Sequence, residues 1–146
     1  MTPAMTLEHT LHNEIPLSLA MGIRVADYDG ESLKLAAPLA ANLNHKCTAF
    51  GGSLYSLAVL CGWGMLHLKL AEAGLRKHIV IQESNIRYLL PVAQDMQAEC
   101  RTDAAALKLF FRTLRKHDRA RLSLDVVITH DHKPAVEFSG RYVVHG

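Results

Sequence analysis

At 146 residues, with 49% hydrophobic and 21% charged side chains, the chain has the length and composition of one globular domain with a sizeable core, and not those of a disordered segment. A formal net charge of +2 gives no basic footprint for nucleic acid. Cys47, Cys61 and Cys100 are odd in number and form no CxxC pair, which argues against a disulfide framework and a structural zinc site and points to a reducing, cytoplasmic compartment.

The opening "MTPAMTLEHTLHNEIP" has no basic region followed by a long apolar one, so no signal peptide is expected. Thr6 is placed to cap a helix to about Glu14, with Leu7 and Leu11 on one face. Pro16 suits the first turn of a second short helix closed by Gly22. "IRVADYDGESLKLAAP" reads as a hairpin turning at Asp29-Gly30. A polar loop follows, within "NLNHKCTAFGGSL" (42–54), and then an apolar helix over about residues 53–73, ended by Gly74. Its stretch from Leu54 to Leu68 carries no Asp, Glu, Lys or Arg. That run is roughly 15 residues, short of the ~20 that span a bilayer, so a buried core helix is expected and no membrane span.

"HIVIQESNIRYLL" (78–90) is a β-branched strand stopped by Pro91, and "DMQAECRT" (95–102) is the next strand. "DAAALKLFFRTLRKH" (103–117) reads as a helix capped by Asp103, with Leu107, Phe110, Phe111 and Leu114 at i, i+3, i+4, i+7. Residues 119–144 give two long strands around a turn at Asp131–Lys133. Six strands and one central apolar helix suit an α+β arrangement, an antiparallel sheet curled around the helix, as a single domain over residues 1–146.

The segments "MGIRVADYDGESLKLAAPLAANLNHKCTAFGGSLYSLA" (21–58), "VIQESNIRYLLPV" (80–92) and "FSGRYVV" (138–144) together resemble the hotdog thioesterase superfamily. More narrowly, they are similar to the thioesterase domain of the YiiD C-terminal type. The resemblance implies a hotdog fold, an antiparallel sheet wrapped around a long central helix. It also implies an acyl-CoA or acyl-ACP thioesterase, with coenzyme A entering only as part of the substrate and no other cofactor. A homodimer or a dimer of dimers is expected on the same ground. In related acyl-CoA thioesterases of the phenylacetate-pathway kind, the loop reads roughly Asn-x-x-Gly-x-x-His-Gly-Gly. Laid on this chain, its Asn falls on Asn44, its loop glycine on Cys47, its His on Phe50 and its glycine pair on Gly51 and Gly52. The helical acid of that pattern falls on Val59, a departure that removes the usual base or nucleophile.

Thioester hydrolysis needs donors for a developing oxyanion and a group that activates water or attacks directly. Gly51 and Gly52, with Phe50 and Ser53 at the helix mouth, are candidates for donors and substrate contacts; tight packing of the helix into the sheet is the alternative for the glycines. Asn44 can orient water or carbonyl, or else make an Asx-turn. His45 is a candidate general base, or a surface loop histidine. Gln82, Glu83 and Ser84 interrupt the β-branched strand, and plain alternation puts Glu83 on one face with Ile81, Asn85 and Arg87, with Gln82 and Ser84 on the other. Glu83 is then a candidate base in place of the missing acid, or one half of a Glu83–Arg87 ion pair. Ser84 and Arg87 are candidates for substrate contact, Arg87 for the pantetheine or phosphate portion. A Cys47–His45 nucleophile pair and metal binding by His130 and His132 are weaker readings of nearby polar residues, and the basic run 112–122 is a solvated face or a phosphate contact. The competing functions are a hotdog hydratase or dehydratase and a non-catalytic acyl-thioester binding module.

Overall fold

In the computed structural model, which describes residues 1–146, the chain begins with α1 (Pro3–Glu14). Its cap is Thr2, not Thr6: the Thr2 hydroxyl accepts the Met5 amide at 3.1 Å, and Pro3 sits where a missing N–H costs nothing. Thr6 instead turns its hydroxyl back to the Thr2 carbonyl. Leu7 and Leu11 are fully buried on one face, as their spacing predicts. After α2 (Pro16–Ala20) come β1 (Arg24–Tyr28) and β2 (Ser32–Ala37). The turn between them is closed by Asp29, whose carboxylate accepts the amides of Glu31 and Ser32 at 2.9 and 2.7 Å. Gly30 supplies the positive φ that the turn requires.

The remaining elements are α3 (Gly51–Glu72), β3 (His78–Tyr88), β4 (Met96–Arg101), α4 (Ala104–His117), β5 (Arg119–His130) and β6 (Lys133–His145). α3 thus starts at Gly51, two residues before the expected 53, and takes both glycines into its first turn. The strands form one six-stranded antiparallel sheet in the order β1-β2-β4-β5-β6-β3. It is an α+β fold in which α3 packs against β2, β3, β4, β5 and β6, the arrangement expected from an apolar helix that must be wrapped. One face of the sheet alternates into a contiguous core of 33 buried residues, with Ala120, Leu122, Leu124, Val126 and Ile128 of β5 all pointing in.

Close packing around α3 is visible at Gly62, where an added Cβ would stand 2.3 Å from the Tyr142 hydroxyl. That hydroxyl donates to the Val59 carbonyl at 2.6 Å. Cys61 and Cys100 are buried in the same core, and burial pushes the Cys100 thiol up to about 12, so it stays protonated. The two sheet edges differ. β1 is short and lies against α1, whose Glu8 carboxylate accepts the Val25 amide at 2.8 Å. β3 runs eleven residues, pairs only with β6, and carries nothing on its other edge.

Candidate active site

The polar loop before α3 is held by its own side chains. Asn42 is buried and donates from Nδ2 to the Met21 and Pro38 carbonyls at 2.9 and 2.8 Å, while its own carbonyl accepts the Phe50 amide at 2.8 Å. Asn44 forms the Asx-turn: its Oδ1 accepts the amides of Lys46 and Thr48 at 2.8 and 3.1 Å, and its Nδ2 donates to the Thr48 hydroxyl at 2.8 Å. The Ala49 amide ties the loop's end to the Val92 carbonyl at 2.8 Å. Cys47, at the position of the related pattern's glycine, has φ +62°, so this chain keeps a left-handed turn without the residue that adopts it freely. His45 and Cys47 are both exposed on this turn.

This bracing delivers Phe50 to the cap position of α3 in an extended conformation, with no side-chain cap. The amides of Ser53 and Leu54 both donate to the Phe50 carbonyl, at 2.9 and 3.0 Å. The amides of Gly51 and Gly52 donate to no group in the chain. They are the orphan donors of the helix start, and the helix dipole adds about half a positive charge there. Phe50 folds over Gly52, where an added Cβ would stand 2.4 Å from the ring. Tyr88, at the end of β3, donates to the Gly51 carbonyl at 2.9 Å. Burial, with a smaller contribution from Tyr55, raises the Tyr88 pKa and keeps that donor protonated. Phe50 and Tyr88 are half exposed and, with Leu89 and Leu90, make an apolar rim at the helix mouth.

β3 corrects the expected alternation. Ile81 pairs with Tyr142 and Glu83 with Arg141, so Gln82 is an extra residue, a β-bulge that shifts every later side chain by one face. Gln82 and Glu83 consequently share the outer face, where both accept hydrogen bonds from Arg141. Glu83 does not share a face with Ile81, and its ion-pair partner is Arg141, not Arg87. Arg87 also points outward and pairs with Glu137 at 3.6 Å. Ser84 turns inward instead and meets the Tyr55 hydroxyl of α3 at 2.6 Å. Gly51, Gly52, Phe50, Ser53 and Ser84 are therefore gathered on the α3 side of the sheet with Asn44 behind them, whereas Glu83 and Arg87 lie on the opposite side.

The Val59 side chain offers no acid, and its carbonyl is occupied by Tyr142. The basic run is a solvated face: Arg112, Arg115, Lys116, Arg119 and Arg121 are all exposed. His130 is held in its turn beside Asp131 at 3.4 Å. Sequence reasoning missed Tyr88, Trp63 and His67. Tyr55, Val59, Trp63 and His67 recur every four residues and form a half-buried stripe along α3, a pattern present in the sequence.

The family described as "Putative thioesterase (yiiD_Cterm)" matches residues 4–146. The crystal structure of a protein of unknown function from Chlorobaculum tepidum TLS is 37% identical, with a TM-score of 0.94 over 97% of this chain and 93% of that one. A structure titled "putative thioesterase" from Shewanella oneidensis is 32% identical, with a TM-score of 0.91 over 99% of this chain and 98% of that one. At 23% identity and a TM-score of 0.84, over 99% of this chain and 96% of that one, a "probable thioesterase" from Pseudomonas aeruginosa shares the fold.

Proposed function

Since the chain belongs to the YiiD C-terminal family of thioesterases, we propose that it hydrolyses an acyl thioester of coenzyme A or of an acyl carrier protein to a free acid and a free thiol. The observation that carries this reading is the pair of unengaged amides of Gly51 and Gly52 at the start of a 22-residue helix. Two unengaged backbone donors at a helix start, together with the helix dipole, suit a carbonyl oxygen that becomes an oxyanion when water adds. Asn44 acts by bracing the loop that presents these donors. The Tyr55–Ser84 hydroxyl pair offers a polar anchor one helical turn further in, and Phe50, Tyr88, Leu89 and Leu90 offer an apolar seat for the acyl group. Neither Val59 nor the outward-facing Glu83 supplies the base. The reaction so read takes place in the cytoplasm, needs no cofactor beyond the coenzyme A of the substrate, and is the work of a homodimer.

The test is release of free thiol from short-, medium-, aryl- and long-chain acyl-CoA and the corresponding acyl carrier protein thioesters. Turnover of at least one class is expected, and it should collapse in Gly51→Pro. Proline is accepted at a first helical position and removes the N–H in question, its Cβ would meet Tyr88 at an ordinary 3.6 Å, and Phe50 already has the extended backbone that a following proline requires. Absence of turnover by folded protein across the whole panel would overturn the reading. Val59, where an acid is expected, favours one second reading, a non-catalytic acyl-thioester binding module; tight binding without thiol release would establish it.

A further inference from the structure

A cavity of about 1000 Å³ opens at the far end of α3 from the glycine pair, between α1, the last turns of α3 and the start of β3. Its walls differ in chemistry. Trp63 and His67, one turn apart on α3, stack with ring centroids 5.1 Å apart and planes 11° from parallel, and make one flat aromatic wall. Trp63 is held in that pose by its Nε1, which donates to the Ile79 carbonyl at 3.3 Å. Burial holds the His67 pKa below the ordinary histidine value, against an opposing pull from Glu14, so this wall is uncharged near pH 7.

A second wall is cationic, because Arg76, Lys77 and His78 follow one another where the chain enters β3. Lys77 is paired with Asp118, whereas Arg76 is exposed and has no acid partner in the chain. From α1 come the Thr10 hydroxyl and the Glu14 carboxylate, neither engaged by another side chain. A flat aromatic wall suits a nucleobase, and an unpaired guanidinium suits a phosphate. Glu14, the one acid in the lining, is then an acceptor for an exocyclic amino group, and Thr10 a partner for a ribose hydroxyl.

The spacing from the glycine pair agrees. Trp63 lies 12 residues beyond Gly51 on α3, about 18 Å, and His67 one turn further. In coenzyme A roughly thirteen bonds separate the sulfur from the first phosphorus, about 15 Å at the rise of an extended chain, and the adenosine lies beyond. Tyr55 and Val59 are half-buried on the same stripe and give the arm a continuous path along α3 between the two ends.

We propose that this cavity holds the nucleotide end of the substrate, with adenine against the Trp63–His67 wall and a phosphate on Arg76, so that the carrier is coenzyme A and not a carrier protein. This rests on the thioesterase reading above and narrows it. An acyl carrier protein presents its arm from a serine phosphate without adenine, and would leave both the aromatic wall and Arg76 without an occupant.

Trp63 is the only tryptophan in the chain, so its emission reports on this cavity alone. Titration with adenosine 3′,5′-bisphosphate, the nucleotide end without the arm, should quench that emission as the base stacks on the wall. Arg76 is exposed and unpaired, so Arg76→Ala should fold normally and weaken this binding about tenfold. The same nucleotide should compete with acyl-CoA in thiol release, and Arg76→Ala should raise the KM for acyl-CoA about tenfold with kcat held. Wild type should also prefer acyl-CoA to the matching acyl-pantetheine, and Arg76→Ala should forfeit about tenfold of that preference. In a protein that releases thiol, no quenching by the nucleotide, or quenching without competition, would overturn the proposal and leave the thioesterase reading in place. Quenching in a folded protein that releases no thiol would support the nucleotide site and overturn that reading instead.

Discussion

The loop at 42–50 and the bulge at Gln82–Glu83 are both polar and both lie beside α3, yet they use their polar groups in opposite ways. In the loop, Asn42 and Asn44 turn inward and bond their own backbone, which holds Phe50 in the cap position and leaves the Gly51 and Gly52 amides without acceptors. In the bulge, Gln82 and Glu83 turn outward together and bind Arg141, so that Ser84 is the residue presented to α3. The reactive capacity at the helix mouth lies in backbone donors, and the conspicuous side chains in both places are its supports. A polar residue in an apolar setting is informative only once the group that satisfies it is known.

The comparison can be broken most forcefully at Gly51. If the orphan amides are the oxyanion donors, Gly51→Pro should lower kcat by about 10²–10³-fold, about 2.7–4 kcal/mol on the barrier. Gly51→Ala keeps the N–H, and its Cβ would make only an ordinary 3.6 Å contact with Tyr88, so its kcat should stay close to wild type. Equal losses in both variants would mean that the glycines serve packing and not donation. Steady-state kinetics on the best thioester decides between them.

Asn44→Ala comes next. It removes the acceptor of the Lys46 and Thr48 amides at a half-exposed position, so unfolding in denaturant should show a loss of about 1–2 kcal/mol. Because Asn44 acts through the position of the glycine pair, kcat should fall by roughly tenfold, less than in Gly51→Pro. A kcat loss as deep as that of Gly51→Pro, with stability unchanged, would instead put the Asn44 amide on the substrate. Cys47→Gly is smaller and of opposite sign. It relieves a left-handed residue at about 1 kcal/mol, offset in part by the greater freedom of glycine in the unfolded chain. A net gain of up to about 1 kcal/mol, read as a higher denaturation midpoint, is expected.

Much of this architecture was open to a reading of the residues. The apolar run after Gly52 has to be wrapped, Asp29-Gly30 has to turn, and the β5 alternation is regular enough to place its inner face. Three features were not open in the same way. The bulge depends on Arg141, 58 residues beyond Glu83, donating to two neighbours at once, and a count of alternate positions has no means of inserting the extra residue. The cap of α1 is Thr2 and not Thr6, although Thr6 offers an equally good local cap, and only the Pro3 that follows Thr2 breaks the tie. The Tyr55, Val59, Trp63, His67 stripe was legible at four-residue spacing, but within so apolar a helix it reads as core until β3 is seen to leave it half covered.

Glu83→Ala is the smallest expected effect and the sharpest check on the outer face. Glu83 pairs with Arg141 where both side chains are largely open to water, so its loss should change stability by no more than about 0.5 kcal/mol. Gln82 still accepts from Arg141 at 3.1 Å, which should keep the bulge and the inward placement of Ser84. With the carboxylate on the far side of the sheet from the glycine amides, kcat should be unchanged within about twofold, since no transition-state contact is removed. A kcat loss of a hundredfold in folded Glu83→Ala would require the outer face of β3 to meet substrate. The bulge would then be an active part of the site, and the division of labour between loop and bulge would fall.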